Sequence, residues 1–209
     1  MTITFQQVVT SEAQFREIIG TPSHRVLRKQ ITELDEFCRA FIAKCPFLLL
    51  SSSDLAGNMD ISPKGDPPGF VQVLDHQTLA IPDRLGNRRA DTLKNVLQNP
   101  HVGLLFLIPG KQETLRVSGT AKIVRDEWIR EAMAIAGKIH DHAIIVNVTE
   151  VFFHCAKCVI RSKLWIADAW LELSDLPSLA QAMVSQGKLD ETPEEMQALI
   201  EKDAKERLY

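Results

Sequence analysis

The sequence has few of the residues that cross-link small exported domains, and it has no long apolar run. Four cysteines in 209 residues, with no export signal, do not suggest a disulfide framework, so we expect reduced thiols. No apolar stretch approaches the roughly 20 residues of a membrane-spanning helix. The first residues, MTITFQQVVTSEAQF, lack the basic start and apolar block of a signal peptide. We therefore expect a cytoplasmic protein with no membrane partner.

The sequence also has no excess of basic over acidic residues. The formal net charge is -3 and the pI is about 6.1. Proteins that bind nucleic acid or anionic membrane surfaces usually concentrate positive charge. This balance of charge argues against a nucleic-acid partner.

The common catalytic motifs are absent from the sequence too. It contains no G-x-S-x-G, no H-E-x-x-H, no G-x-x-x-x-G-K-[ST] and no G-x-G-x-x-G. His101, in an apolar run, and His154, after Phe153, are more typical of structural histidines than of catalytic bases. A chain without a nucleophile or a metal set can still act through a bound cofactor, and this is the interpretation that we favour.

One short motif leaves two chemical alternatives open. Cys155 and Cys158 form a C-x-x-C next to His154, a pattern found in thiol redox sites and in zinc sites. A zinc site needs two further ligands, and the sequence has no second closely spaced ligand pair. We therefore expect no metal and interpret the two cysteines as buried thiols that follow a strand.

The two ends of the chain carry helical patterns. Ser11 and Gln14 resemble a capping box, and the apolar spacing from Leu27 to Phe41 predicts one amphipathic helix that runs up to Cys45. Near the other end, Ser174 or Asp175 is a candidate cap for a helix, and Thr192 to Glu195 is a capping box with proline at its first helical position.

The middle of the chain predicts a barrel of antiparallel strands. Short apolar or alternating runs follow one another between turn residues, interrupted by a helix between Asp83 and Pro100. Closure would remove long apolar strand edges. We expect a mainly β fold with flanking helices (α+β), built as a six- or seven-stranded antiparallel split barrel. The expected segments are an N-terminal helical segment (1–45), the barrel (46–166) and a helical tail (167–209).

Basic residues gather where strands end and where the internal helix begins. Lys64 follows one strand, Arg88 and Arg89 precede the helix with Asn87 as a candidate cap, and Arg116 lies in a later strand. Unpaired N–H groups and a partial positive charge at a helix N-terminus favour phosphate, so this arrangement indicates an anion site. The alternative is that the arginines are ordinary solvated charges.

These features together resemble the pyridoxamine 5'-phosphate oxidase-like FMN-binding split-barrel family, in its uncharacterised oxidase-related branch. Within residues 37–165, the resemblance is carried by FLLLSSSDLAGNMDISPKGDPPGFV, LAIPDRLGNRRADTLKNVLQNPHVGLLFLIPG, ETLRVSGTAKIV and VFFHCAKCVIRSKLW. The second segment is the most specific, because it combines a strand end, a basic pair, a short helix and Asn-Pro before the next strand.

The resemblance implies a homodimer with FMN at its interface, acting on a small molecule, with NADH or NADPH as a candidate electron donor. It implies three groups of cofactor-binding residues: a phosphate group of Lys64, Arg88 and Arg89 with Ser62 and Asn87; a group at the ring of Ile81, Pro82 and Asp83; and a group from the second subunit of Thr114, Arg116 and Trp165.

The C-terminal segment departs from the family pattern. True pyridoxamine phosphate oxidases resemble one another in an Arg-containing C-terminal segment, whereas this chain has the helical EEMQALIEKDAKERLY. We therefore expect an oxidoreductase with a different, unknown substrate. The alternatives are a flavin-binding protein without turnover, used in storage, sensing or regulation, and a split barrel that binds F420 or haem.

Overall fold

The computed structural model describes residues 2–209, and within them the chain forms eight helices and seven strands. The helices are α1 (Glu12–Ile19), α2 (His24–Arg28), α3 (Glu36–Ile42), α4 (Asp91–Gln98), α5 (Glu127–Ala132), α6 (Lys157–Ser162), α7 (Leu179–Gly187) and α8 (Pro193–Glu206). The strands are β1 (Phe47–Ser53), β2 (Met59–Gly65), β3 (Gln72–Val73), β4 (Thr78–Pro82), β5 (His101–Leu107), β6 (Thr114–Val124) and β7 (Ala143–His154).

The strands form one antiparallel sheet in the order β2-β1-β5-β6-β7-β4-β3. This confirms the predicted mainly β fold of the split-barrel type, with flanking helices. Side-chain burial alternates along β1 and β5, although both strands are largely apolar in sequence. Leu48 and Leu104 are buried, for example, whereas Phe47 and Leu105 are more exposed.

The inner face of the sheet forms the main core. Leu48, Phe106 and Leu115 are registered across β1, β5 and β6, and all three are fully buried. α3 closes this core with Cys38, Phe41 and other apolar side chains. A smaller apolar cluster lies on the other face of β4 and β7, where α5 packs with Ile129 and Met133.

The two ends of the sheet approach each other without forming a ladder. β2 is one edge strand, and β3 with β4 forms the other end. Lys64 Nζ on β2 lies 3.4 Å from Asp83 Oδ1 just after β4, and Arg84 Nε lies 2.6 Å from Asp66 Oδ2 just after β2. Side-chain ion pairs therefore bridge the split in the barrel.

A bulge in the longest ladder bends the sheet. The register of β6 and β7 shifts between Ser118 and Gly119, so that Thr149 is the extra residue on β7. A Cβ atom at Gly119 would overlap the backbone carbonyl oxygen of Asn147. Glycine is required here because the two backbones approach so closely.

The prediction of one helix from Leu27 to Phe41 was wrong. α2 ends at Arg28, and Ile31 leaves the helical path to pair as an isolated bridge with Val151 of β7. Asp35 then begins α3 by accepting a hydrogen bond from the Cys38 N–H at 2.8 Å. Ile31, Cys38 and Phe41 pack on the main core, whereas Leu27 is exposed, so the apolar spacing did not mark one continuous helix face.

Two of the predicted caps are confirmed. The Ser11 hydroxyl accepts from the Gln14 N–H at the start of α1, and Thr192 with Glu195 forms a capping box on α8. The predicted cap of α7 was wrong: Ser178 caps that helix with Gln181, because it directly precedes the first helical residue.

Within residues 2–209, none of the helices has both the length and the apolar character needed to cross a membrane.

We predict that Gly119→Ala lowers the free energy of unfolding by about 2 to 3 kcal/mol, because the added methyl must displace the β7 backbone. Urea denaturation measures the change. Gly86→Ala is the matched control, since a Cβ at Gly86 meets no atom within 4 Å. Equal stability of the two variants would contradict the close approach at the bulge.

Candidate functional site

A polar row lies on the inner face of β2. Asp60, Ser62 and Lys64 alternate with residues that face outward, and register with β1 places them on the same face as the apolar core. Inward polar groups are expensive unless they are paired or bind a ligand. The row therefore marks a polar groove at the edge of the barrel.

α4 is held against one end of this row by polar contacts. The Thr92 hydroxyl donates to Asp60 Oδ2 at 2.8 Å, and Asn95 Nδ2 donates to the Ser52 hydroxyl oxygen at 3.1 Å. Both contacts use the first two turns of the helix. They place the N-terminal end of α4 beside Asp60, while Asp83, at the start of the preceding loop, contacts Lys64.

The loop before α4 carries Arg88 and Arg89. Both side chains are exposed, and Arg88 adopts a left-handed conformation with φ 61°. Asn87 Oδ1 accepts from the Arg89 N–H at 3.0 Å, and Arg89 Nε pairs with Asp91 Oδ2 at 2.7 Å. The expected capping role of Asn87 was wrong: Ala90 is the N-cap residue, and no side chain caps the helix.

The three residues expected at the cofactor ring lie at the end of β4, and they differ in exposure. Ile81 is fully buried in the main core, and Pro82 is also buried. Ile81 therefore offers no accessible surface to a ligand in the single chain. Asp83 is partly exposed. One of its carboxylate oxygens contacts Lys64, and the other lies 3.0 Å from His142 Nε2.

Three residues next to the groove were missed by the sequence analysis. Asp66, whose side chain is 1% exposed, pairs with Arg84, which also donates to the Met133 carbonyl oxygen at 2.9 Å. The Tyr209 hydroxyl donates to the other oxygen of Asp66 at 2.9 Å, a bond that raises the pKa of Tyr209. The available indication in the sequence was the closeness of Asp66 to Lys64 and of Arg84 to Asp83.

A cavity of about 360 Å³ opens beside Asp83. The Nε2 atoms of His140 and His142 are buried there without an aligned hydrogen-bond partner. Burial, and next the positive charge of Arg84, lower the pKa of His140, so this imidazole is held neutral. The cavity lies between the barrel and the chain terminus; its lining is Asp83, Arg84, Leu85, Lys138, Ile139, His140, Asp141, His142 and Tyr209.

Thr114, Arg116 and Trp165 form a separate group. Register through β5 places Arg116 on the outer face of the sheet, where its guanidinium lies 5.1 Å from the centre of the Phe152 ring. The Trp165 indole N–H donates to the Lys111 carbonyl oxygen at 2.8 Å, in the turn before β6. One chain thus pairs Lys64 with Asp83 and carries the arginine loop between Asp83 and α4, whereas Arg116 and Trp165 contact Phe152 and Lys111.

The C-x-x-C cysteines are not buried as expected. Cys155 and Cys158 are both exposed, because the chain leaves the sheet at His154 and turns into α6, whereas Cys38 and Cys45 are in the core. Burial raises the pKa of the Cys38 thiol to about 12. Within residues 2–209, no group of three or more histidine, cysteine or acidic side chains is arranged to hold a metal ion.

The arrangement is suited to an anionic ligand. Lys64 supplies an ammonium on the inner face, Ser62 supplies a hydroxyl, and the loop from Asn87 to Arg89 supplies two exposed guanidinium groups. Phosphate oxygens accept charge-assisted hydrogen bonds from all of these groups.

Comparison with known sequences identifies one family. The sequence model of the pyridoxamine 5'-phosphate oxidase family matches residues 34–155, which include all seven strands and every predicted site residue except Trp165. A search of curated proteins found no match.

Comparison with solved structures gives matches of low identity. HupZ from Group A Streptococcus is 17% identical with a TM-score of 0.46, covering 57% of this chain and 92% of its own. A proposed pyridoxamine 5'-phosphate oxidase from Lactobacillus delbrueckii is 22% identical with a TM-score of 0.46, covering 58% and 95%. HutZ, a haem storage protein from Vibrio cholerae, is 14% identical with a TM-score of 0.40, covering 57% and 93%. Similarities this weak do not indicate which ligand the chain binds.

We predict that Arg84→Met lowers the free energy of unfolding by about 3 kcal/mol, because it leaves the buried Asp66 carboxylate without its cation. Arg161→Met is the matched control: Arg161 is exposed and forms no ion pair with any described residue. Urea denaturation of both variants makes the comparison. Similar small losses in the two would show that Asp66 does not depend on Arg84.

Proposed function

The chain belongs to the pyridoxamine 5'-phosphate oxidase family, and from this we propose that it is an FMN-binding flavoprotein that acts as an oxidoreductase on a small molecule. The observation that supports the proposal best is the polar row of β2, whose Lys64 contacts Asp83 at the start of a loop that carries two exposed arginines. All of these residues lie within the segment that matches the family.

The residues present fit a phosphate-bearing cofactor. The phosphate would be held by Lys64, Arg88 and Arg89, with Ser62 and Asn87 as hydrogen-bonding partners. The left-handed backbone at Arg88 and the bond from the Arg89 N–H to Asn87 fix the loop, so less conformational freedom is lost when an anion binds. When bound, FMN would supply two-electron chemistry with a substrate or with NADH or NADPH.

The chain's own contribution would be electrostatic. Lys64 is held on the inner face by Asp83, and its ammonium would stabilise negative charge on a neighbouring ligand. Asp83, at the end of β4 and beside the cavity, would border the ring and orient Lys64. No side chain in this arrangement has to act as a nucleophile.

We also propose that the working unit is a homodimer. Lys64 lies on the inner face of β2, whereas Arg116 lies on the outer face of β6, with β1 and β5 between these strands. One small cofactor that contacts both groups would therefore draw them from two chains. The outer face also carries exposed or partly exposed apolar residues suited to an interface, including Phe47, Met59 and Ile61.

We predict that Arg88→Ala with Arg89→Ala weakens FMN binding by about 2 to 5 kcal/mol, because two charge-assisted bonds to the phosphate are lost. Quenching of flavin fluorescence during titration measures the affinity. Lys202→Ala with Lys205→Ala on α8 removes the same charge at exposed positions outside the proposed phosphate group and is the control. Riboflavin, which has no phosphate, is expected to bind both double variants alike. If FMN affinity does not change, the phosphate is bound elsewhere.

A further inference from the structure

Residues 2–30, which we call the arm, leave an amphipathic helix without a partner in the chain. Among the described residues, α1 has no buried side chain. Phe15, Ile18 and Ile19 lie on one face of it at helical spacing and are 42%, 69% and 59% exposed. A helix of this pattern normally buries its apolar face.

Residues 167–209, which we call the tail, leave a second apolar surface uncovered. α7 and α8 pack together by burying Ala180 and Met196. Unlike the small core formed by Ala180 and Met196, the segment that leads into α7 is exposed. Its exposed side chains, which we call the tail patch, are Trp170, Leu171, Leu173, Leu176 and Leu179, each more than 60% exposed.

The arm and the tail have opposite charge. The arm contains four arginine or lysine residues and two glutamates, whereas the tail contains ten acidic and four basic residues. Within residues 2–209, the arm's only ion pair is Arg16–Glu12 and the tail's only ion pair is Arg207–Asp203. Arg25 and Arg28 of the arm therefore lack acidic partners, and most carboxylates of the tail lack basic ones. Such complementarity favours association of the two segments.

Both segments leave the barrel near the C-terminal end of β7. Ile31 exchanges backbone hydrogen bonds of 3.1 and 2.8 Å with Val151, and α6 leads into the tail just after His154. Although their attachment points are close, the apolar faces are not covered within one chain. The 12 residues from Ile19 to Ile31 can span at most about 40 Å, which is enough to reach a neighbouring subunit.

We propose that the arm of one copy docks on the tail of a second copy of the chain. Phe15, Ile18 and Ile19 pack against the tail patch, and Arg25 and Arg28 face the acidic residues around it. The exchange is reciprocal in a two-fold dimer, so two arm–tail contacts form per dimer. This inference rests on the proposed homodimer but does not depend on the cofactor.

Cross-linking between two distinguishable chains tests the proposal. In a background with Cys155→Ser and Cys158→Ser, one chain carries Ile19→Cys and the other, with a tag of different mass, carries Leu179→Cys. The chains are mixed, allowed to exchange subunits and treated with a short bis-maleimide. We expect the arm-to-tail product to exceed both the arm-to-arm product and the product with Leu97→Cys, an exposed control position on α4.

The contribution of the arm's positive charges to docking is tested with the same pair of chains. Arg25→Glu with Arg28→Glu is expected to weaken the dimer by about tenfold in sedimentation equilibrium, and to reduce the arm-to-tail product. Added salt is expected to act in the same direction on the unchanged chain.

Three outcomes would overturn the proposal. The first is an arm-to-tail yield no greater than that with Leu97→Cys. The second is a link that forms only within one chain when both cysteines are on that chain. The third is a monomer at all concentrations, which would also remove the proposed homodimer. A colourless protein that still gives the arm-to-tail product would overturn the FMN proposal alone.

Discussion

Ion pairs across the split of the barrel determine both the fold and the site. In the part of the chain that the structure describes, backbone ladders join every neighbouring pair of strands from β2 to β3, but none joins β2 to β4. Lys64–Asp83 and Arg84–Asp66 bridge that gap instead. An ion pair out of water needs good geometry and further hydrogen bonds to offset desolvation. The Asp66 carboxylate accepts such hydrogen bonds, one from Arg84 and one from the Tyr209 hydroxyl.

The same constraint gives the site its chemical character. Because β2 has a partner on one side only, its inner row can carry Asp60, Ser62 and Lys64 where the other strands carry apolar residues. α4 is fixed over the row by Thr92, and this fixes the arginine loop beside it. The cationic groups are therefore positioned by contacts already present in the free chain, which favours binding of an anion.

Much of the fold could be predicted from local patterns, because the strands are short apolar or alternating runs between turn residues. The single helix predicted across Ile31 failed because a tertiary contact with β7 overrides local spacing. Within the site, the proximity of Lys64, Asp83 and the loop followed from the order of strands and the resemblance to the family. The pairing of Asp66 with Arg84, and the contact of Tyr209 over 143 positions, depend on closure of the barrel, which no local pattern specifies. The division into an N-terminal helical segment (1–45), a barrel (46–166) and a helical tail (167–209) stays a prediction.

The absorption spectrum of the purified protein, with mass analysis of any cofactor released by heat, tests the central claim most directly. We predict flavin absorption bands and release of FMN in a ratio near one per chain. A Soret band would indicate haem and a deazaflavin mass would indicate F420, and either would contradict FMN as the cofactor of this barrel. A colourless protein that does not bind added FMN would contradict the proposed function as a whole.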